Sequence, residues 1–169
     1  PDDGRRFPRW APGARGRMRR RLKPPRQAHP DARAIAHEVL VRVETTDAFA
    51  DVLLAARLAT ARLAPADQAL VTRLVYGTLA WQGRLDHHLS GLVRGPLAGL
   101  DPPVRAALRL GLHQLLFLDR IPAYAAVDAS VRLAGRNRGA AGLVNAVLRR
   151  AAAAGRTGLP LPDATRDPL

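Results

Sequence analysis

One stretch, Val104–Leu118 (VRAALRLGLHQLLFL), limits the possible folds of this chain more than any other. From Ala106 to Leu118 only Arg109, His113 and Gln114 carry strongly polar groups, and apolar residues fill the rest of the helical wheel. A helix that is apolar on every side is buried. At ~1.5 Å rise per residue it is ~22 Å long, enough to cross a small domain and too short to cross a bilayer. Asp101 and Pro102-Pro103 mark its start, as an N-cap followed by first-turn prolines. Gly111 costs about 1 kcal/mol against alanine in mid-helix, so its presence predicts a close helix crossing. The other helices are expected to wrap this one.

The flanking pattern supplies those helices. Ile35, Val39, Leu40 and Val43 form one face of a first helix that begins near Asp31 and stops at Thr45-Thr46-Asp47. Ala50 to Leu63 predicts a second helix with Val52, Leu53, Ala56 and Leu63 inward. Pro65 and Asp67 open a long third helix, expected to run continuous or mildly bent to about Val93, with Gly83 the place for any break. After the central helix, Asp119-Arg120-Ile121-Pro122 is a turn. A further helix spans about Ala123–Leu133, with Ala126, Val127, Val131 and Ala134 inward. Gly135–Gly142 (GRNRGAAG) reads as a connection into a last helix that carries Leu143, Val144, Val147 and Leu148 on its apolar face and ends at Gly155. Alanine, leucine and arginine dominate while isoleucine, threonine and aromatics are sparse, which favours helix over sheet. The expectation is an all-α bundle around a central buried helix. Its parts are a disordered basic N-terminal arm (1–30), the helical domain (31–155) and a linker (156–169).

The net charge of +13 is unevenly spread: residues 1–30 hold ten Lys/Arg and two acids (+8), and residues 31–169 hold seventeen arginines and twelve acids (+5). The arm has six prolines, three glycines and almost no apolar periodicity. A basic domain with a more basic arm is the electrostatic footprint of a polyanion partner, RNA or DNA before a membrane. With 26 arginines to one lysine, coding bias is the plainer explanation of part of this charge. The arm's cluster of Arg17, Arg19, Arg20, Arg21, Lys23 and Arg26 is a candidate phosphate-tracking tail, or else a solubilising leader. Pro1 is not an initiator residue, so the chain reads as a fragment or processed form, with Met18 a candidate start.

Catalytic constellations are missing from the sequence. It has no GxGxxG, no P-loop and no HExxH, and without cysteine it has no thiolate nucleophile or thiolate metal site. Glu38 and Glu44 lie six apart on one helix and cannot face each other across a cleft. Ser90 and Ser130 lack the context of a nucleophile elbow. Asp86-His87-His88 invites a metal, yet adjacent helical residues splay about 100° apart, so surface or capping roles are expected instead. His113, Gln114 and Asn145 are expected to be satisfied structural groups, Gln114 through a backbone partner. Arg109 is expected to pair with an acid. The preferred binding site is Arg136, Arg138 and the amides of Gly139–Gly142 at a helix N-terminus, with Arg149 and Arg150 about three turns on. A tight turn that happens to be arginine-flanked is the bland alternative. Aromatics are too few for a stacking platform of the RRM kind, so phosphate contact is expected to outweigh base readout. No signal-peptide core or membrane-length apolar run is seen, and the expected location is cytoplasmic.

Four ordered segments carry a resemblance: Asp31–Glu44 (DARAIAHEVLVRVE), Ala69–Leu89 (ALVTRLVYGTLAWQGRLDHHL), Leu108–Val131 (LRLGLHQLLFLDRIPAYAAVDASV) and Gly142–Arg150 (GLVNAVLRR). Over about residues 31–155 the chain resembles the N-terminal NusB-like domain of the RsmB family, the bacterial small-subunit rRNA cytosine-C5 methyltransferases, with QLLFLDRIP and VNAVLRR the most specific pieces. The resemblance implies a NusB-like all-α bundle that binds RNA, with small-subunit rRNA and a C-terminal methyltransferase domain in cis as partners and no metal. It implies no cofactor in this chain, because S-adenosylmethionine would belong to the absent catalytic domain. NusB proteins begin their first helix with an arginine run; here that run is displaced to Arg17–Arg26 and leaves Arg33. The position before Val144-Asn145, often aromatic in NusB, is Leu143. A stand-alone antitermination factor acting with a ribosomal protein and a helical protein-interaction domain are the alternative functions.

Overall fold

The computed structural model describes residues 31–155 and 158; the Arg17–Arg26 cluster and nearly all of the proposed linker lie outside the described residues. Seven α-helices and one short 3-10 turn (Leu97–Gly99) account for the described residues, with no strand among them. The helices are α1 (Ala32–Thr45), α2 (Ala50–Thr60), α3 (Pro65–Ala80), α4 (Gln82–Leu92), α5 (Pro102–Phe117), α6 (Ala123–Leu133) and α7 (Arg138–Ala154). None of the described helices is long and apolar enough to cross a membrane.

The expected axle is α5, where every residue from Ala106 to Gln114 is buried. It packs against α1, α3, α4, α6 and α7. Its two sides serve two apolar clusters. Ala106 and Leu110 join Ile35, Val39, Leu53, Leu54, Val71 and Leu74 of α1–α3. Ala107, Leu108 and Leu112 join Leu85, Leu89, Val127, Val144, Val147 and Leu148 of α4, α6 and α7. Gly111 does mark a close crossing: a Cβ there would stand 2.4 Å from Leu148 Cδ1 and 2.6 Å from Ser130 Oγ, so α6 and α7 both lie against it. Asp101 occupies the N-cap position without a side-chain cap bond. Pro102 and Pro103 have no N–H to satisfy, and the amides of Val104 and Arg105 both reach the Asp101 carbonyl (2.9 and 3.0 Å).

Three local expectations need correction. The long third helix is two helices, and the break falls at Trp81 (φ −103°, ψ 13°) rather than at Gly83. Trp81 leaves helical geometry where its ring stacks on Phe117 of α5, with centroids 5.0 Å apart and 20° between planes. This redirects α4 onto α5 and α7. On α2 the inward residues are Leu53 and Leu54, while Val52 is 61% exposed and Ala56 is exposed. The helix is rotated so that Arg57 meets Glu38 of α1 at 2.7 Å, and it ends at Thr60, leaving Leu63 buried beyond it. The third correction is that α7 begins at Arg138. Asn137 is its N-cap, accepting from the amides of Gly139 (2.9 Å) and Ala140 (3.3 Å), so GAAG is the first turn of helix and not a loop.

Candidate nucleic-acid interface

Polar groups on the buried axle hold the bundle together. Arg109 donates to Asp86 through Nε (2.7 Å) and Nη2 (2.8 Å), and to Glu44 through Nη1 (3.0 Å). Burial alone would lower its pKa, but the bonds and charges of Asp86 and Glu44 outweigh that and raise it. Arg105 adds a 2.6 Å bond to the same Glu44 oxygen and caps the carbonyls of Ala98 and Leu100. One cation thereby ties α1, α4 and α5 together, and the expected acid partner is in fact a pair of acids. Gln114 donates to the Leu110 carbonyl (3.0 Å), the expected backbone bond, and also accepts from Arg33 Nε (2.7 Å). Asp86 serves Arg109, and His88 is buried rather than at the surface. No group of three or more metal-binding side chains occurs among the described residues.

The sequence-selected arginines disperse. Arg33 is half-buried and bonded to Gln114. Arg136 and Arg138 are exposed together at the α6–α7 corner. The amide cradle expected beside them is not open, because Asn137 takes the N–H groups of Gly139, Ala140 and, through its carbonyl, Ala141 (3.0 Å). Arg149 and Arg150 lie ~17 Å further along α7 by helical rise. Arg149 donates to Asn145 (2.9 Å) beside a hollow that Tyr124 and Asp128 also line, so the partner of Asn145 is a side chain. Arg150 turns the other way and donates to the Leu92 carbonyl (3.1 Å), closing the C-terminus of α4. Arg136, just ahead of α7, and Arg138 and Arg149 on it are thus presented to solvent, whereas Arg33 and Arg150 carry bonds that join helices.

Sequence reasoning missed a second basic surface. Tyr76 and Trp81 are 44% and 45% exposed on the rim of a groove between α3 and α5, floored by Gly77, His113 and Phe117. The Arg84 guanidinium lies 5.8 Å from both the Trp81 and Phe117 ring centroids, within reach of cation–π attraction. Arg73 lines the groove and also the adjoining hollow that holds Asp119, Arg120 and Ile121. Gly77 is required here, since a Cβ would sit 2.4 Å from His113 Nε2. The His113 ring is pushed down to a pKa of about 4 by burial, with the Arg73 charge contributing, and is neutral at physiological pH. The available signal was the run Arg73, Tyr76, Trp81, Arg84 in a chain with only 4% aromatics.

Comparison with known proteins places this arrangement. The sequence signature described as the NusB family matches residues 30–153. The chain belongs to the NusB family. Its sequence is similar to the ribosomal RNA small subunit methyltransferase B of Thermus thermophilus, at 44% identity over 71% of this chain and 29% of that protein. The corresponding Pseudomonas putida enzyme is 45% identical over 50% of this chain and 20% of its own length. The chain spans between about a fifth and a third of the length of the curated methyltransferases it matches. Among solved structures, Thermotoga maritima NusB superposes with a TM-score of 0.68 at 22% identity, covering 76% of this chain and 91% of that one. NusB in a complex of antitermination factors NusB and NusE with double-stranded RNA gives 0.67 at 22% identity, covering 73% and 95%. The NusB-like all-α fold expected from the sequence is the fold observed.

Proposed function

We propose that this chain is the RNA-binding accessory domain of an S-adenosylmethionine-dependent rRNA (cytosine-C5) methyltransferase, holding small-subunit rRNA for a catalytic domain elsewhere in the same polypeptide. One observation carries the reading: the relatives at 44–45% identity are rRNA methyltransferases several times longer than the matched segment. The described residues are helical and offer no strand-to-helix turn of the kind that holds a nucleotide cofactor, so methyl transfer is assigned to the remainder. What these helices contribute is a positively charged, prefolded body on which RNA can be oriented.

Two measurements test this. If about six phosphates are contacted, affinity of the 169-residue chain for RNA falls by ~10³-fold or more between low and moderate salt. Flat salt dependence, or no binding at low salt, points to a protein-interaction domain instead. Calorimetry is expected to show no S-adenosylmethionine binding by this chain, and stoichiometric binding would overturn the division of labour. The near-complete coverage of T. maritima NusB favours one second reading, a free-standing antitermination factor. A downstream coding sequence for a cysteine-bearing methyltransferase supports the first reading; NusE binding by this chain without such a sequence supports the second.

A further inference from the structure

Three exposed surfaces stand out beyond the arginines of α7. Phe49 and Val52 form an apolar patch on which nothing in the structure shows what sits. Tyr124 borders the α6–α7 hollow, but there Arg149 is bonded to Asn145 and Arg132 is paired with Asp128. The α3–α5 groove is different, because exposed aromatic faces and several guanidinium groups meet there.

We propose that the groove bounded by Tyr76, Trp81 and Phe117 is a stacking site for an unpaired base of single-stranded RNA, with the flanking phosphates held by Arg73, Arg84 and Arg120. The inference rests on the RNA-binding reading above and names where on the domain an unpaired segment sits. Three of the five described aromatic side chains that are not histidine gather here, although the chain is poor in them. Trp81 is braced from behind by Phe117 and cannot turn freely, so its ring is a prepositioned platform. A fixed aromatic face takes any base, while nearby guanidinium groups neutralise the backbone on either side. Among the residues lining the groove and the adjoining hollow, Asp119 is the only acid. That balance favours a polyanion and disfavours a second copy of this chain, whose matching rim would bring arginine against arginine. The phosphate-dominated mode expected from the sequence is thereby supplemented: location, not number, makes the aromatics useful.

Replacing Trp10 with Phe leaves Trp81 as the sole indole of the full chain, and its fluorescence then reports on the groove. Titration with an unstructured 12-nucleotide A/C RNA is expected to quench or shift Trp81 emission, whereas inorganic polyphosphate at equal charge does not. Trp81→Ala and Tyr76→Ala are each expected to weaken this RNA by ~5- to 100-fold with an unchanged salt slope. Trp81→Phe recovers most of the affinity. Arg73→Ala is expected to reduce the salt slope by about one. Tyr76→Ala guards against a folding artefact, because no ring stack in the core depends on Tyr76, and helical circular dichroism checks both variants. RNA binding of normal affinity and salt dependence with silent Trp81 emission and neutral Trp81 and Tyr76 variants overturns the stacking site and leaves the RNA-binding reading intact. No RNA binding by the unmodified chain removes both. Equal responses to RNA and polyphosphate, or saturable binding of an acidic protein fragment that RNA cannot displace, also count against a base in the groove.

Discussion

Substituting alanine for Gly111 pits helix propensity against packing at the point where three helices meet. The added methyl carbon would stand 2.4 Å from Leu148 Cδ1, 2.6 Å from Ser130 Oγ and 3.1 Å from Ser130 Cβ. Carbon atoms pack comfortably at about 3.5–4.0 Å, so α6 and α7 must withdraw by about an ångström or distort their rotamers. Overpacking of this kind costs about 1–3 kcal/mol. If Ser130 Oγ also loses its 2.9 Å bond to the Ala126 carbonyl, a buried hydroxyl is stranded at a cost of about 1–3 kcal/mol. Against these stands a gain of about 1 kcal/mol from replacing a helical glycine. With both costs the expected net effect is a loss of about 1–5 kcal/mol, read from urea unfolding followed by helical circular dichroism. Gly83→Ala is the matched control: it lies in α4 with nothing within 4 Å of the added carbon, so it is expected to stabilise by up to about 1 kcal/mol. Combining Gly111→Ala with Leu148→Ala should show a favourable coupling energy, because the second change vacates the space the first one needs. A Gly111→Ala protein as stable as the Gly83→Ala control would refute the close three-helix contact.

Other expectations follow from the polar groups. Arg109→Leu is expected to cost about 2–4 kcal/mol by the same urea assay, since Asp86 and Glu44 lose a shared partner, with their partial exposure keeping the value below that of a sealed pair; a loss under 1 kcal/mol would show that the cation does not bind the helices together. His113 has a folded pKa of about 4 against 6.5 unfolded, so the unfolded chain binds more protons between those values. Stability from this group is complete above pH 6.5 and is lost as pH falls towards 4, by up to about 3 kcal/mol relative to a His113→Gln variant; parallel pH profiles for the two proteins would contradict it. Arg150→Ala is expected to destabilise by about 1 kcal/mol, with faster hydrogen exchange at the α4 C-terminus, and to spare RNA affinity, whereas Arg136→Ala/Arg138→Ala should do the reverse.

Much of the architecture could be read directly from the chain, and the exceptions share a cause. The all-round apolar wheel of α5, the spacing of Ile35, Val39 and Leu40, and the stop at Gly155 are local patterns with one structural solution. The break at Trp81 was hidden because nothing nearby in sequence forces it; the reason is Phe117, thirty-six residues away. The rotation of α2 was hidden for the same reason, since the Arg57–Glu38 pair between helices chooses its face. The start of α7 was legible in principle, because Asn137 is a strong N-cap residue, but two glycines drew attention to a loop. The groove was harder still. Arg73, Tyr76, Trp81 and Arg84 recur at i, i+3, i+8 and i+11, roughly one helical face, but a basic and aromatic face reads as solvated surface until Phe117, far away in the sequence, is seen to stack on Trp81.

The two apolar clusters have a mechanical corollary. Because α5 supplies a wall to each, neither half of the bundle can swing away without uncovering the other half's greasy surface. The domain has no internal hinge along its axis, and amide exchange in α5 should need opening of the entire body. Under the proposed function, RNA seated on this module moves only as the unit moves whole, like a handle.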